Sequence, residues 1–252
     1  MKNKFVAINI ISFLVTLAVN FLATNLPLNN LTTKEISDSF NIFFVPAGYV
    51  FSIWGLIYMG LIGFIVFQSM PKNRENTQVA KIGPWFAVSN LANALWLISF
   101  HYKQFSLALV FMVVLLISLI TIFLRLDIGK AKSSRPENWL VNIPFSLYLG
   151  WITVAAIANA TQVLYFIKWD GFGLAPEIWL VIMLAAAVVI SALMSLTRRN
   201  IPFALVLVWA FTGIAAKFPN APLVNFSSWA AAGAVLLILV FALLSKPAVL
   251  EK

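Results

Sequence analysis

Residues 44–58 read FVPAGYVFSIWGLIY, and in a helix Phe51, Trp54 and Tyr58 fall on one face with Leu61 and Ile65. Such a face offers flat, polarizable rings with an indole N–H and a phenol O–H at their tips. Its chemistry is stacking and hydrogen bonding rather than bond cleavage. The same spacing also suits an aromatic belt at a membrane edge. A second stripe in WFAVSNLANALWLISF carries Phe86, Asn90, Asn93, Trp96 and Phe100. Amides in an apolar stretch are costly unless bonded, so they either join helices or anchor a ligand. A third stripe places Tyr148, Trp151 and Ala155 together, with Asn159 rotated away and Pro144 predicted to kink the helix. Just ahead of the first stripe, Pro46 lacks an amide hydrogen and Gly48 tolerates unusual backbone angles. They predict a sharp hinge, and with it a lid over whatever the aromatic face lines.

The absent chemistry narrows the reading further. The chain has no cysteine and one histidine, His101, so thiolate chemistry is excluded and a histidine metal cluster has no support. Glu177 lies near a helix start, and Asp127 and Asp170 fall in loops. With no ionisable group securely mid-stretch, proton-coupled transport is disfavoured. Hydrolysis by paired carboxylates and activated-serine catalysis lack their residues. No metal and no required cofactor are expected, and binding is favoured over catalysis.

The elements that must position these stripes follow from composition. Of 252 residues, 62% are hydrophobic and 10% charged, against about 25% charged in an average soluble domain. Mean hydropathy is +0.96. So few charges cannot cover a soluble surface, so the fold class is an all-α, polytopic membrane bundle, with lipid as a partner. Eight apolar stretches are predicted as spans, near 5–27, 47–69, 82–101, 104–125, 139–166, 176–197, 201–217 and 225–245. The first is read as a retained helix rather than a signal peptide, because no clear cleavage site follows it. The polar, Gly/Pro-rich KWDGFGLAPE near residue 170 marks a soft boundary.

The net charge of +9 is read as a topology signal and not as a nucleic-acid surface, since no basic-aromatic motif accompanies it. With eight spans, 13 of the 17 basic residues fall on one side, among them Lys72, Lys81, Arg125, Arg198 and Arg199. Lys34, Lys103, Lys168 and Lys217 fall on the other. The excess predicts cytoplasmic termini, and a bacterial inner membrane is the expected location.

Three of these segments together resemble the TspO/translocator (tryptophan-rich sensory protein) family. Its motif P-P-G-W-x-F-x-x-x-W-x-x-L-Y is met by Pro46, Gly48, Phe51, Trp54 and Tyr58, with Ala47, Tyr49 and Ile57 departing from it. Asn93, Trp96 and Phe100 fit the third-helix pattern, and Trp151 with Asn159 fits the fifth. Pro144 stands seven residues before Trp151, displaced from the family's Pro-Tyr position. The resemblance covers residues 1–167 as a five-helix unit, and 168–252 add three helices. It implies a ligand cavity capped by the first loop. Phe51, Trp54, Tyr58, Asn93, Trp96, Tyr148 and Trp151 would line it, and Pro46 and Gly48 would hinge its lid. The implied ligand is a flat hydrophobic molecule such as a tetrapyrrole, and the implied protein partner is a second copy of the chain. Light-dependent porphyrin breakdown and transport of a neutral solute are the alternative activities.

Overall fold

A computed structural model describes residues 5–25, 28–73 and 75–245. Lys2, Lys4, Arg74, Lys246 and Lys252, counted above in the charge asymmetry, lie outside the described residues. The helices run α1 Val6–Asn25, α2 Thr33–Asp38, α3 Ile53–Ser69, α4 Thr77–Ile82, α5 Trp85–His101 and α6 Phe105–Arg125. They continue as α7 Arg135–Glu137, α8 Ile143–Phe166, α9 Pro176–Arg198, α10 Ile201–Lys217 and α11 Pro222–Leu244. Each of the eight predicted stretches contains a helix, so the all-helical membrane architecture holds.

The count of spans is smaller by length. Among the described residues, six helical segments are long and apolar enough to cross a membrane: Val6–Ala23, Gly48–Ser69, Phe105–Arg125, Arg135–Phe166, Pro176–Arg198 and Pro222–Leu244. Helices α5 and α10 have 17 residues each, a rise of about 25 Å at 1.5 Å per residue. That is short of a hydrocarbon core of about 30 Å. The third stretch is shortened by Gly83, whose φ of 59° separates α4 from α5.

Lipid tails are as apolar as leucine, so packing and interhelical hydrogen bonds hold such a bundle together. Asn9 Nδ2 donates to Gln68 Oε1 at 3.0 Å, joining α1 to α3. The Thr16 hydroxyl donates to the Asn90 carbonyl at 2.9 Å and Asn90 Nδ2 to Ser12 Oγ at 3.1 Å, joining α1 to α5. Asn200 caps α10 by accepting from Phe203 N, and its amide nitrogen donates to Ser146 on α8 at 2.8 Å. Close approach does the rest. On α3, a Cβ at Gly60 would sit 3.0 Å from the Pro144 ring. The predicted irregularity at Pro144 is a π-helical turn, Asn138–Asn142, directly before it. Proline supplies no N–H to the carbonyl four residues earlier, and the ladder resets there.

Both ends are laced by the polar residues expected there. At one end Arg198 bonds the Asp127 carboxylate and the Arg125 guanidinium stands 5.9 Å from the Trp85 ring. At the other, Lys217 Nζ lies 2.6 Å from Asp38 Oδ1, and Phe40 packs edge-on against Phe105 with centroids 4.9 Å apart.

Candidate functional site: an aromatic cavity beneath α2

A cavity of about 510 Å³ opens between α1, α3 and α5, with the start of α2 above it. Phe51, Trp54 and Tyr58 form one wall and Trp96 with Leu97 another. Leu17 and Asn20 face it from α1, and Thr32–Lys34 reach it from α2. A narrow annex of about 40 Å³ shares Phe51, Trp54 and Trp96. It extends to Trp151, Asn159 and Gln162 of α8. Four of the seven predicted lining residues therefore meet in the main cavity and a fifth, Trp151, in the annex.

The rings hold one another in place. Trp54 and Tyr58 stack at 5.4 Å with 20° between planes, one helical turn apart on α3. Trp151 stands edge-on to Phe51 at 5.8 Å and to Trp54 at 6.3 Å. Trp96 stacks on Phe100 at 5.7 Å, and its indole N–H donates to Asn159 Oδ1 at 2.8 Å. Among the described residues that line the cavity and its annex, three buried polar atoms have no hydrogen-bond partner, the Tyr58 hydroxyl, Trp151 Nε1 and Gln162 Oε1. Buried groups of this kind are ordinarily bonded, so all three are open to a bond from a molecule in the site.

Asn93 and Tyr148 stand elsewhere. Asn93 is fully buried; it accepts from Asn20 Nδ2 at 2.9 Å and donates to the Tyr148 hydroxyl at 3.1 Å. It is helix glue, tying α1, α5 and α8 together behind the wall, and neither residue lines the cavity. Tyr148 supports the site through its edge-on contact with Trp54 at 5.9 Å.

The lid also differs from the prediction. Pro46 borders the annex, but the turn it opens is docked on α10. Ala47 N donates to the Gly213 carbonyl at 3.0 Å and Trp209 Nε1 to the Val50 carbonyl at 3.1 Å. A Cβ at Gly213 would lie 2.2 Å from Val50 Cγ2. A turn gripped this closely is an anchor. Gly48 lies under Lys34, and a Cβ there would meet only the flexible end of that exposed side chain.

The cover is α2. Thr32 caps it by accepting from Glu35 N at 3.2 Å, while Glu35 accepts from Thr32 N at 2.7 Å. The Thr32 N–H, and the Thr32 hydroxyl donating at 2.8 Å, hold the Glu35 carboxyl below its usual value. T-x-x-E is a capping-box signature, legible in LTTKE although it carries no catalytic or binding motif. His101, the only histidine, fastens the segment to α5. Its Nδ1 is 3.0 Å from the Leu28 carbonyl and its Nε2 3.0 Å from the Thr33 hydroxyl, and Asn29 Nδ2 donates to the His101 carbonyl at 3.1 Å. Asp38 closes the far end between Lys34, 3.0 Å away, and Lys217. Partial burial raises its carboxyl, but hydrogen bonds from both lysines outweigh that and hold it below the usual value.

No group of three or more metal-ligating side chains gathers among the described residues. The cavity can stack, hydrogen-bond and enclose; it carries no acid–base pair. A family model described as TSPO-like protein matches residues 6–242. No curated protein and no solved structure matches the chain.

Proposed function

The chain belongs to the TSPO-like family, and from that premise we propose that it is a membrane receptor or carrier for a flat hydrophobic ligand, a tetrapyrrole in particular. The carrying observation is the convergence of Phe51, from the turn before α3, Trp54 and Tyr58 of α3, and Trp96 of α5 on one cavity of about 510 Å³. Small-molecule sites span about 300–1,000 Å³ and pair apolar walls with a few polar groups. Here those groups are the unpartnered Tyr58 hydroxyl and, in the annex, Trp151 Nε1. Lys34 stands at the rim and suits the carboxylate edge of a porphyrin. Asp38 keeps Lys217 as a partner when Lys34 turns to a ligand. The excess of basic residues at the Arg125 and Arg198 end orients that end to the cytoplasm, with α2 and the cavity mouth outside, in a bacterial inner membrane.

Titration of the detergent-purified chain with protoporphyrin IX, followed by tryptophan quenching and Soret absorbance, tests the reading. Saturable binding weakened by Trp54→Ala and Trp96→Ala supports it. Equal affinity in all three proteins refutes it.

A light-driven reading draws on the same rings. Trp54, Tyr58 and Trp151 are oxidisable, and Tyr58 and Trp151 lie 5.4 and 6.3 Å from Trp54, so they could quench an excited porphyrin. New absorbance bands on illuminating the complex, absent in Trp54→Phe, would favour breakdown over carriage.

A further inference from the structure

The boundary segment KWDGFGLAPE forms a second cavity, of about 240 Å³, between the end of α8, the start of α9 and residues 41–44. Five aromatic residues line it, Phe43, Phe44, Tyr165, Trp169 and Trp179, and Asp170 is the one charged side chain in its lining. The arrangement is built. Trp169 and Trp179 pack at 4.8 Å with 59° between planes, so their faces point in different directions. The Trp179 indole N–H donates to the Gly171 carbonyl at 2.9 Å, which fixes its ring. Gly171 has φ +65°, and a Cβ there would sit 2.9 Å from Trp179 Nε1. Asp170 Oδ1 accepts from Phe172 N at 3.0 Å, which orients the carboxylate.

Ring faces carry partial negative charge and attract cations, most strongly on tryptophan. Beside a carboxylate, with no basic residue in the lining, they make a concave site whose one charge and whose ring faces favour a cation. We propose that this cavity binds a small organic cation, an ammonium or quaternary ammonium carried on an apolar body. The site is separate from the aromatic cavity beneath α2, since the two linings share no residue. It uses α9, which lies outside the five-helix unit.

Calorimetric titration of the full chain in a non-ionic detergent, with phenyltrimethylammonium against its neutral isostere tert-butylbenzene, decides the matter. The cation binds saturably and the isostere binds weaker by about two- to fivefold or more, the range expected for an exposed cation–π contact. Asp170→Asn keeps an oxygen for the Phe172 cap, and with it the melting temperature, but weakens the cation by about threefold; Trp169→Leu weakens it as well. Equal affinity for cation and isostere, or an unchanged constant in Asp170→Asn, overturns the proposal. Absence of saturable heat would leave the tryptophan pair as an interfacial anchor only. Should Asp170→Asn lower the melting temperature, the comparison of cation and isostere on the unaltered chain still decides.

Discussion

Trp54 is the residue on which the cavity turns. It stacks on Tyr58 and meets Tyr148 and Trp151 edge-on, so it contributes a wall and also holds its neighbours. A stacked aromatic contact is worth about 0.5–1.5 kcal/mol beyond burial, and Trp54→Ala should weaken porphyrin binding by about two- to tenfold in a quenching titration. Asn93→Leu should act differently. It removes bonds to Asn20 and Tyr148 worth about 1 kcal/mol in a membrane setting. It should lower the melting temperature, while the remaining wall still binds. The aromatic residues were legible because three- and four-residue spacing fixes a shared face. Asn93 and Tyr148 were not sorted correctly, because spacing places a residue on a stripe without saying which neighbour covers it. The fate of an amide is decided by Asn20, 73 residues away.

Helix α2 shows how an element escapes a reading based on hydrophobicity. Its six residues, TKEISD, carry no apolar run, and 28–46 reads as a loop. The tether through His101 is a tertiary fact with no local signal. His101→Ala removes the contacts to Leu28 and Thr33 and should loosen the cover. Faster porphyrin release in stopped-flow, with a smaller change in association, is the expected outcome. Asp38 adds a pH dependence. Its folded-state carboxyl titrates below the unfolded one, so the stability it contributes is present in full above the ordinary value of about 3.9. That contribution is lost as pH falls through the lower folded value. Asp38→Asn should flatten this acid limb of a melting-temperature profile; an unaltered limb would show that α2 is held without the ion pair.

At the scale of the whole molecule, the apolar stretches, their order and the two-ended charge pattern were legible because lipid demands long apolar helices and loops gather the charges. The cooperation between the two parts of the chain was not. The five-helix resemblance stops near residue 167, whereas the family match runs to 242 and α10 grips the turn that launches α3. That grip was invisible because Gly213 reads as one small residue in an apolar run. Gly213→Leu should push Val50 away, lower the melting temperature and weaken porphyrin binding together, since Phe51 and Trp54 follow directly from that turn. A chain cut after residue 167 loses the same support and should not elute as a monodisperse, porphyrin-binding species.

Whether porphyrin enters the cavity beneath α2 can be tested directly because the chain has no cysteine. Leu17→Cys places a single thiol in the cavity wall, and Phe226→Cys places one at a position 75% exposed on α11. Maleimide modification rates of each, with and without saturating protoporphyrin IX, are the measurement. Protection of the thiol at 17 and none at 226 is the predicted result; equal rates at 17 with and without porphyrin would place the ligand elsewhere.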